Sequence, residues 1–156
     1  MTADLLSIVA HYRAGLEAEM ALLQQLDSFS EQQHQATLAG DFAALPPVND
    51  ARDAALAALV TIEGELAPLR QRLFEARERL AGHPDFEAVV VAHREAAALV
   101  SAILTSDRAS LDALKDAEEA RRVATAAMEK GETTLAAYRR VIAPVVANAT
   151  LLNTRG

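Results

Sequence analysis

The stretch LVTIEGELAPLRQRLFEARERL, residues 59–80, decides the fold. Leu59, Leu66, Leu73 and Leu80 recur every seven residues, and Ile62 and Leu69 fill the alternate positions of the same seam. That is the pattern of a helix packed lengthwise on other helices, since a strand would alternate apolar and polar residues. Gly64 and Pro68 interrupt the run. Proline has no N–H, and its ring crowds the carbonyl four residues back, so the stretch predicts one helix kinked near Glu65 rather than two helices.

A helix with one greasy face needs partners, and the chain supplies them on both sides. Upstream, residues 3–39 contain no proline and one glycine, and Leu5, Val9, Tyr12, Leu16, Leu23 and Leu26 fall at helical spacing. The same seam then reads Ser30, Gln33 and Thr37, with Phe29 and Leu38 beside it, so the stripe weakens toward its end. Gly40-Asp41 is a stop signal. Asp41 to Leu45 followed by Pro46-Pro47 reads as a connector, with Asn49 or Asp50 capping the second helix. Downstream, Ala81-Gly82-His83-Pro84-Asp85 places glycine after one helix and proline at the start of the next, the signature of a tight reversal.

From Pro84 to Ala143 no further proline appears, and a seam runs through Phe86, Val90, His93, Ala97, Val100, Leu104, Leu111 and Leu114 to Met128, Leu135, Tyr138 and Ile142. A helix of about 55 residues spans roughly 80 Å, against roughly 50 to 55 Å for each of the first two, so the third is expected to outrun its partners. Gly131 is where it should bend, fray or stop. After Pro144 the row carries one charge and no clear period, which reads as a mobile tail over residues 144–156. The expected fold is all-α, an elongated antiparallel bundle of three long helices over residues 1–143, with room for a short fourth helix at the C-terminal end.

Composition agrees with this reading and narrows the function. The 156 residues suit one domain, and 35 of them are alanine, so the core must be thin. A net charge of −7 argues against phosphate backbones and anionic lipid as partners. Uncharged stretches fall short of the roughly 20 residues of a membrane span, so membrane insertion is not expected. With no cysteine and no basic, apolar leader at Met1-Thr2-Ala3-Asp4, the expected location is the cytoplasm.

Chemistry is thinly signalled. The four histidines are scattered, and no two share a helical face at metal-ligand spacing. Glu31-Gln32-Gln33-His34 has the Glu-x-x-His spacing of carboxylate di-iron bundles, but those need two copies and two further carboxylates, and there is one copy here. His93 on the apolar seam reads as a partly buried, hydrogen-bonded histidine. No phosphate-binding glycine loop or nucleophile elbow is present. The acids Asp107, Asp112, Asp116, Glu118 and Glu119 are interleaved with arginines, as on a solvated face. No enzymatic activity, cofactor or metal is therefore expected.

What remains is apolar surface. Met128, Leu135, Tyr138, Val141 and Ile142 fall on or beside one seam, ringed by Glu129, Lys130, Arg139 and Arg140. Exposed, that stripe would dock another amphipathic helix; folded back, it would be part of the bundle.

The order of features resembles the FlgN-like flagellar export chaperones. The likeness rests on an opening helix with Leu5-Leu6 and Leu16 to Leu26, then the connector Gly40-Asp41-Phe42-Ala43-Ala44-Leu45 and a helix with regular leucines. A long third helix and the ending Leu152-Asn153-Thr154-Arg155-Gly156 complete it. Pro46-Pro47, Pro68 and the high alanine content depart from it. The resemblance implies a cytoplasmic chaperone that masks the C-terminal helices of hook-associated junction proteins until export. It also implies contact with the export gate and export ATPase, with Tyr138 as the tyrosine used at the gate, and a monomer or weak homodimer. The competing expectation is a homo-oligomeric coiled-coil scaffold in which the Leu59 to Leu80 heptads pair with their own copies.

Overall fold

The computed structural model of the protein describes the backbone of residues 3–153 and the side chains of residues 3–143. Helix α1 spans Ala3–Ala39, a 3-10 turn covers Phe42–Ala44, and α2 spans Leu45–Glu75. The short α3, Arg77–Leu80, and the long α4, Pro84–Asn153, follow. No strand occurs among the described residues. The fold is all-α, as expected, and its extra short helix is α3 rather than a C-terminal one. The chain forms two compact units, Met1–Ala113 and Leu114–Gly156.

In the first unit, α1 and α2 run antiparallel. Tyr12 meets Arg70, Ser30 meets Arg52 and Gln33 meets Asn49, so one number falls as the other rises. The α4 segment runs parallel to α1, since Tyr12 meets His93, Ser30 meets Asp107 and His34 meets Ser110. The core is built in two layers. Leu5, Ile8, Val9, Tyr12 and Leu16 of α1 pack with Leu66, Leu73, Leu80 and Val89, and Leu23 and Leu26 pack with Ala55 and Ile103. The α1 stripe is thus buried as its spacing predicts, and the heptad leucines Leu66, Leu73 and Leu80 are enclosed by the chain's own helices.

Three local expectations need correction. Pro46 and Pro47 lie inside the first turn of α2, whose N-cap is Ala44. First-turn N–H groups have no intrahelical acceptor, so prolines there cost nothing and help start the helix. Asn49 does not cap it; its side-chain oxygen accepts from Gln33 Nε2. At the other end α2 stops at Glu75, where Ala76 leaves helical geometry before α3 resumes. The reversal at Gly82 is as expected, its φ of +80° being open to glycine without strain.

The third correction concerns α4. Val89, Ile103 and Ser110 are buried and Phe86, Ala92, Ala96 and Leu99 half-buried, whereas Ala97, Val100, Leu104, Leu111 and Leu114 are exposed. The helix carries two adjoining apolar stripes. The one with small residues lets α4 approach closely, and the bulkier one stands one position round the helix.

Helix α4 continues through Gly131 and Pro144 to Asn153, a segment with no helical period in its sequence. The tail expected over residues 144–156 lies outside the described residues for its side chains, and for residues 154–156 altogether. By length and composition alone α4 also contains a stretch apolar enough to cross a membrane, 11% of it buried, which the expected limit on uncharged runs did not anticipate. His93, Arg94 and Glu95 stand in the middle of its most apolar part.

Candidate docking surface and polar layers

All five expected site residues lie on α4 in the second unit. Met128 is 75% exposed, Val141 72%, Leu135 68% and Tyr138 61%, and Ile142 is half-buried. At about 100° per residue, Met128, Leu135 and Ile142 are stacked within roughly 40° of each other, with Tyr138 about 40° further round. Val141 stands at the far edge, about 60° beyond Tyr138. Ala124 and Gly131 fill the same face, so bulky and small residues alternate along it. Gly131 has nothing within 4 Å of where a Cβ would sit. The gap it leaves forms part of an open hollow lined by Thr125, Met128, Leu135 and Arg139.

No side chain from Leu114 to Ala143 is buried. Two exposed ion pairs, Arg121 with Glu118 at 2.7 Å and Arg122 with Glu119 at 3.3 Å, brace the helix surface. Thr133 and Thr134 turn their hydroxyls back to the carbonyls of Glu129 and Lys130. Such back-bonding loosens a helix slightly, and Gly131 adds to the effect in the same turn.

The first unit holds two polar layers that spacing alone does not announce. In one, the Tyr12 hydroxyl accepts from Arg70 Nε at 2.9 Å and stands 2.6 Å from His93 Nε2. With Arg70 filling an acceptor position on its oxygen, the phenol has its single proton free to donate to His93 in the tautomer that carries the ring proton on Nδ1. Burial pushes the Tyr12 hydroxyl up and the His93 imidazolium down, so both are neutral at neutral pH. Arg70 also grips both oxygens of Glu63, which hold their proton only below about 2, chiefly through that bidentate bond. Beside them Glu19 is 7% exposed and its Oε1 has no partner. Burial, and then Glu63, raises its carboxyl to about 7. In this layer the phenol stays protonated and the Glu63 carboxylate is occupied by a guanidinium.

In the second layer Arg52 binds both carboxylate oxygens of Asp107, and its Nη1 also donates to Ser30 Oγ and Gln33 Oε1, each at 2.8 Å. Ser30, fully buried, donates to Asp107 Oδ1 at 2.9 Å. The guanidinium beside Asp107 holds its carboxyl below the usual range. Ser30, Gln33 and Thr37, where the apolar stripe of α1 fades, therefore continue the core in polar form. A cavity of about 280 Å³ opens between Tyr12, Arg70, Phe74, Phe86, Val90 and His93.

The Glu31 and His34 pair gathers no further ligands, and no group of three potential metal-binding side chains occurs among the described residues. His34 Nδ1 instead stands 3.4 Å from Ser110 Oγ. Compared with known protein families, with curated proteins and with solved structures, the chain matches none.

Proposed function

We propose that this protein is a cytoplasmic export chaperone of the FlgN-like kind. It binds the amphipathic C-terminal helix of a hook-associated protein on the stripe Met128, Leu135, Tyr138, Val141 and Ile142 and carries it to the export gate and ATPase. One observation supports this reading above the others: four of those five side chains are more than 60% exposed, on a segment of α4, Leu114 to Ala143, with no buried side chain. Apolar area removed from water at about 25 cal/mol per Å², less the cost of ordering both partners, gives a moderate and releasable affinity. The scaffold reading has less support, because Leu66, Leu73 and Leu80 are already covered within the chain.

The test is a titration of the purified protein with a hook-junction protein, read by light scattering. A one-to-one complex is expected, and Leu135→Asp with Ile142→Asp is expected to abolish it while helicity and melting stay nearly unchanged. Binding that survives both substitutions would overturn the assignment of the site.

A further inference from the structure

At the end of α2 the Phe74 carbonyl accepts from Arg77 Nη1 at 2.9 Å, and the Arg77 guanidinium lies 4.3 Å from the centre of the Phe74 ring. Carbonyls in the last turn of a helix have no intrahelical donor, and the break at Ala76 lets Arg77 fold back onto this one. The two contacts hold the guanidinium at the cavity of about 280 Å³ in the first unit, whose lining includes both residues. Arg77 has no carboxylate partner among the described residues, so the rest of its N–H fork is open.

The chemistry of that cavity is uneven. Leu73, Phe74, Phe86, Val89 and Val90 give it apolar and partly aromatic walls, and Tyr12 and His93 complete the lining with neutral groups. Its charged side chains are Arg70 and Arg77, with no acid, in a chain whose net charge is −7. Glu63 answers Arg70, which leaves the charge of Arg77 unmatched. Two other hollows of the same unit do have acids in their walls, Glu17 and Glu95 in one and Glu65 in the other.

We propose that this cavity binds a small aromatic monocarboxylate, its ring enclosed by Phe86, Val89 and Val90 and its carboxylate paired with Arg77. Size selects the body. A benzene ring fills a cavity of about 150 Å³, so this one admits a ring on a short chain and excludes a long acyl tail. Phe74 and Phe86 favour an aromatic over an aliphatic body, since ring pairs gain beyond the area they bury. Charge selects the head. A guanidinium stacked on a ring still presents its N–H groups edge-on to a carboxylate, whereas a cationic ligand would meet Arg77 with nothing to offset it. The bound acid would touch α2, α3 and α4 together and so brace the break at Ala76.

The experiment titrates the full chain, without any client, with 3-phenylpropionate, read by calorimetry and by the NMR methyl signals of Val89 and Val90. A dissociation constant on the order of 1 mM is expected for a ligand of this size, with both methyl signals moving. The neutral 3-phenylpropionamide should bind at least fivefold more weakly. Arg77→Gln, at an exposed position, should weaken the acid at least fivefold and leave the amide unchanged; Arg79→Gln, outside the lining, should change neither. Val90→Phe should fill the cavity and abolish binding of both; should that variant unfold, Arg77→Gln decides. Acid and amide binding equally well, acid binding indifferent to Arg77→Gln, or methyl signals unmoved by the acid would overturn the proposal. The cavity belongs to the first unit and the client stripe to the second, so the client-binding proposal stands or falls separately.

Discussion

A methyl group placed on Gly15 of α1 would stand 2.4 Å from Cδ2 of Leu66 on α2. The glycine is the socket into which that leucine fits, and Leu66 is 2% exposed because of it. Gly15→Ala gains about 1 kcal/mol of helix propensity but forces Leu66 out of its rotamer, so a net loss of about 1–2 kcal/mol is expected in urea unfolding. Leu66→Ala in the same chain should recover part of the loss caused by Gly15→Ala, a coupling that a double-mutant cycle reads directly.

Gly131 is the opposite case, with open space where its side chain would be. Gly131→Ala is expected to stabilise the helix locally by about 1 kcal/mol, seen as roughly fivefold slower hydrogen exchange across residues 128–134. It should also weaken client binding by narrowing the hollow between Met128 and Leu135. Tighter binding would mean that the hollow takes no side chain.

Glu19 gives stability an unusual pH slope. Its folded carboxyl titrates near 7, above the unfolded value of 4.5, so the folded state binds the extra proton between those limits and stability falls as pH rises through them. Glu63 runs the other way: its folded value of about 2 makes stability rise with pH between about 2 and 4.5. Glu19→Gln should remove the falling limb and stabilise the protein at pH 8 by about 2 kcal/mol. Thermal melts of both proteins at pH 5 and pH 8 measure it, and parallel slopes would sink the assignment.

Asp107 should behave as an ordinary depressed carboxylate. Its contribution is present above the unfolded value and lost as pH falls through the lower folded one. Asp107→Asn leaves Arg52 without its bidentate partner. With about a fifth of each side chain still in water, a cost of about 2 kcal/mol at pH 7 is expected, shrinking toward zero in acid. Urea midpoints at pH 7 and below pH 3 distinguish this from a plain packing defect, which would cost the same at both.

Much of this was legible in the row of residues. The α1 stripe, the leucine heptads and the turn at Gly82 follow from local spacing and local breakers, whereas spacing left open whether the side chains from Met128 onward are exposed or folded back. What spacing could not deliver was the choice between two adjoining stripes on α4. Val100 and Leu104 are the greasier residues, but Ala96 and Leu99 allow the closer approach, and only the geometry of three helices decides between them. The polar layers were hidden for a related reason. Ser30 and Arg52 look like surface residues until Asp107, far along the chain, comes to meet them.

Alanine offers a neighbour little to grip, and one turn of an alanine-rich helix feels much like the next. Sliding α4 along its neighbours by four residues would exchange one set of small contacts for another at modest cost. The Tyr12–His93 and Ser30–Asp107 contacts forbid it, because they sit 14 residues apart along α4, about 21 Å, and both go out of step at the first slip. Like the paired scales of a vernier, they single out one alignment from several that grease alone would accept.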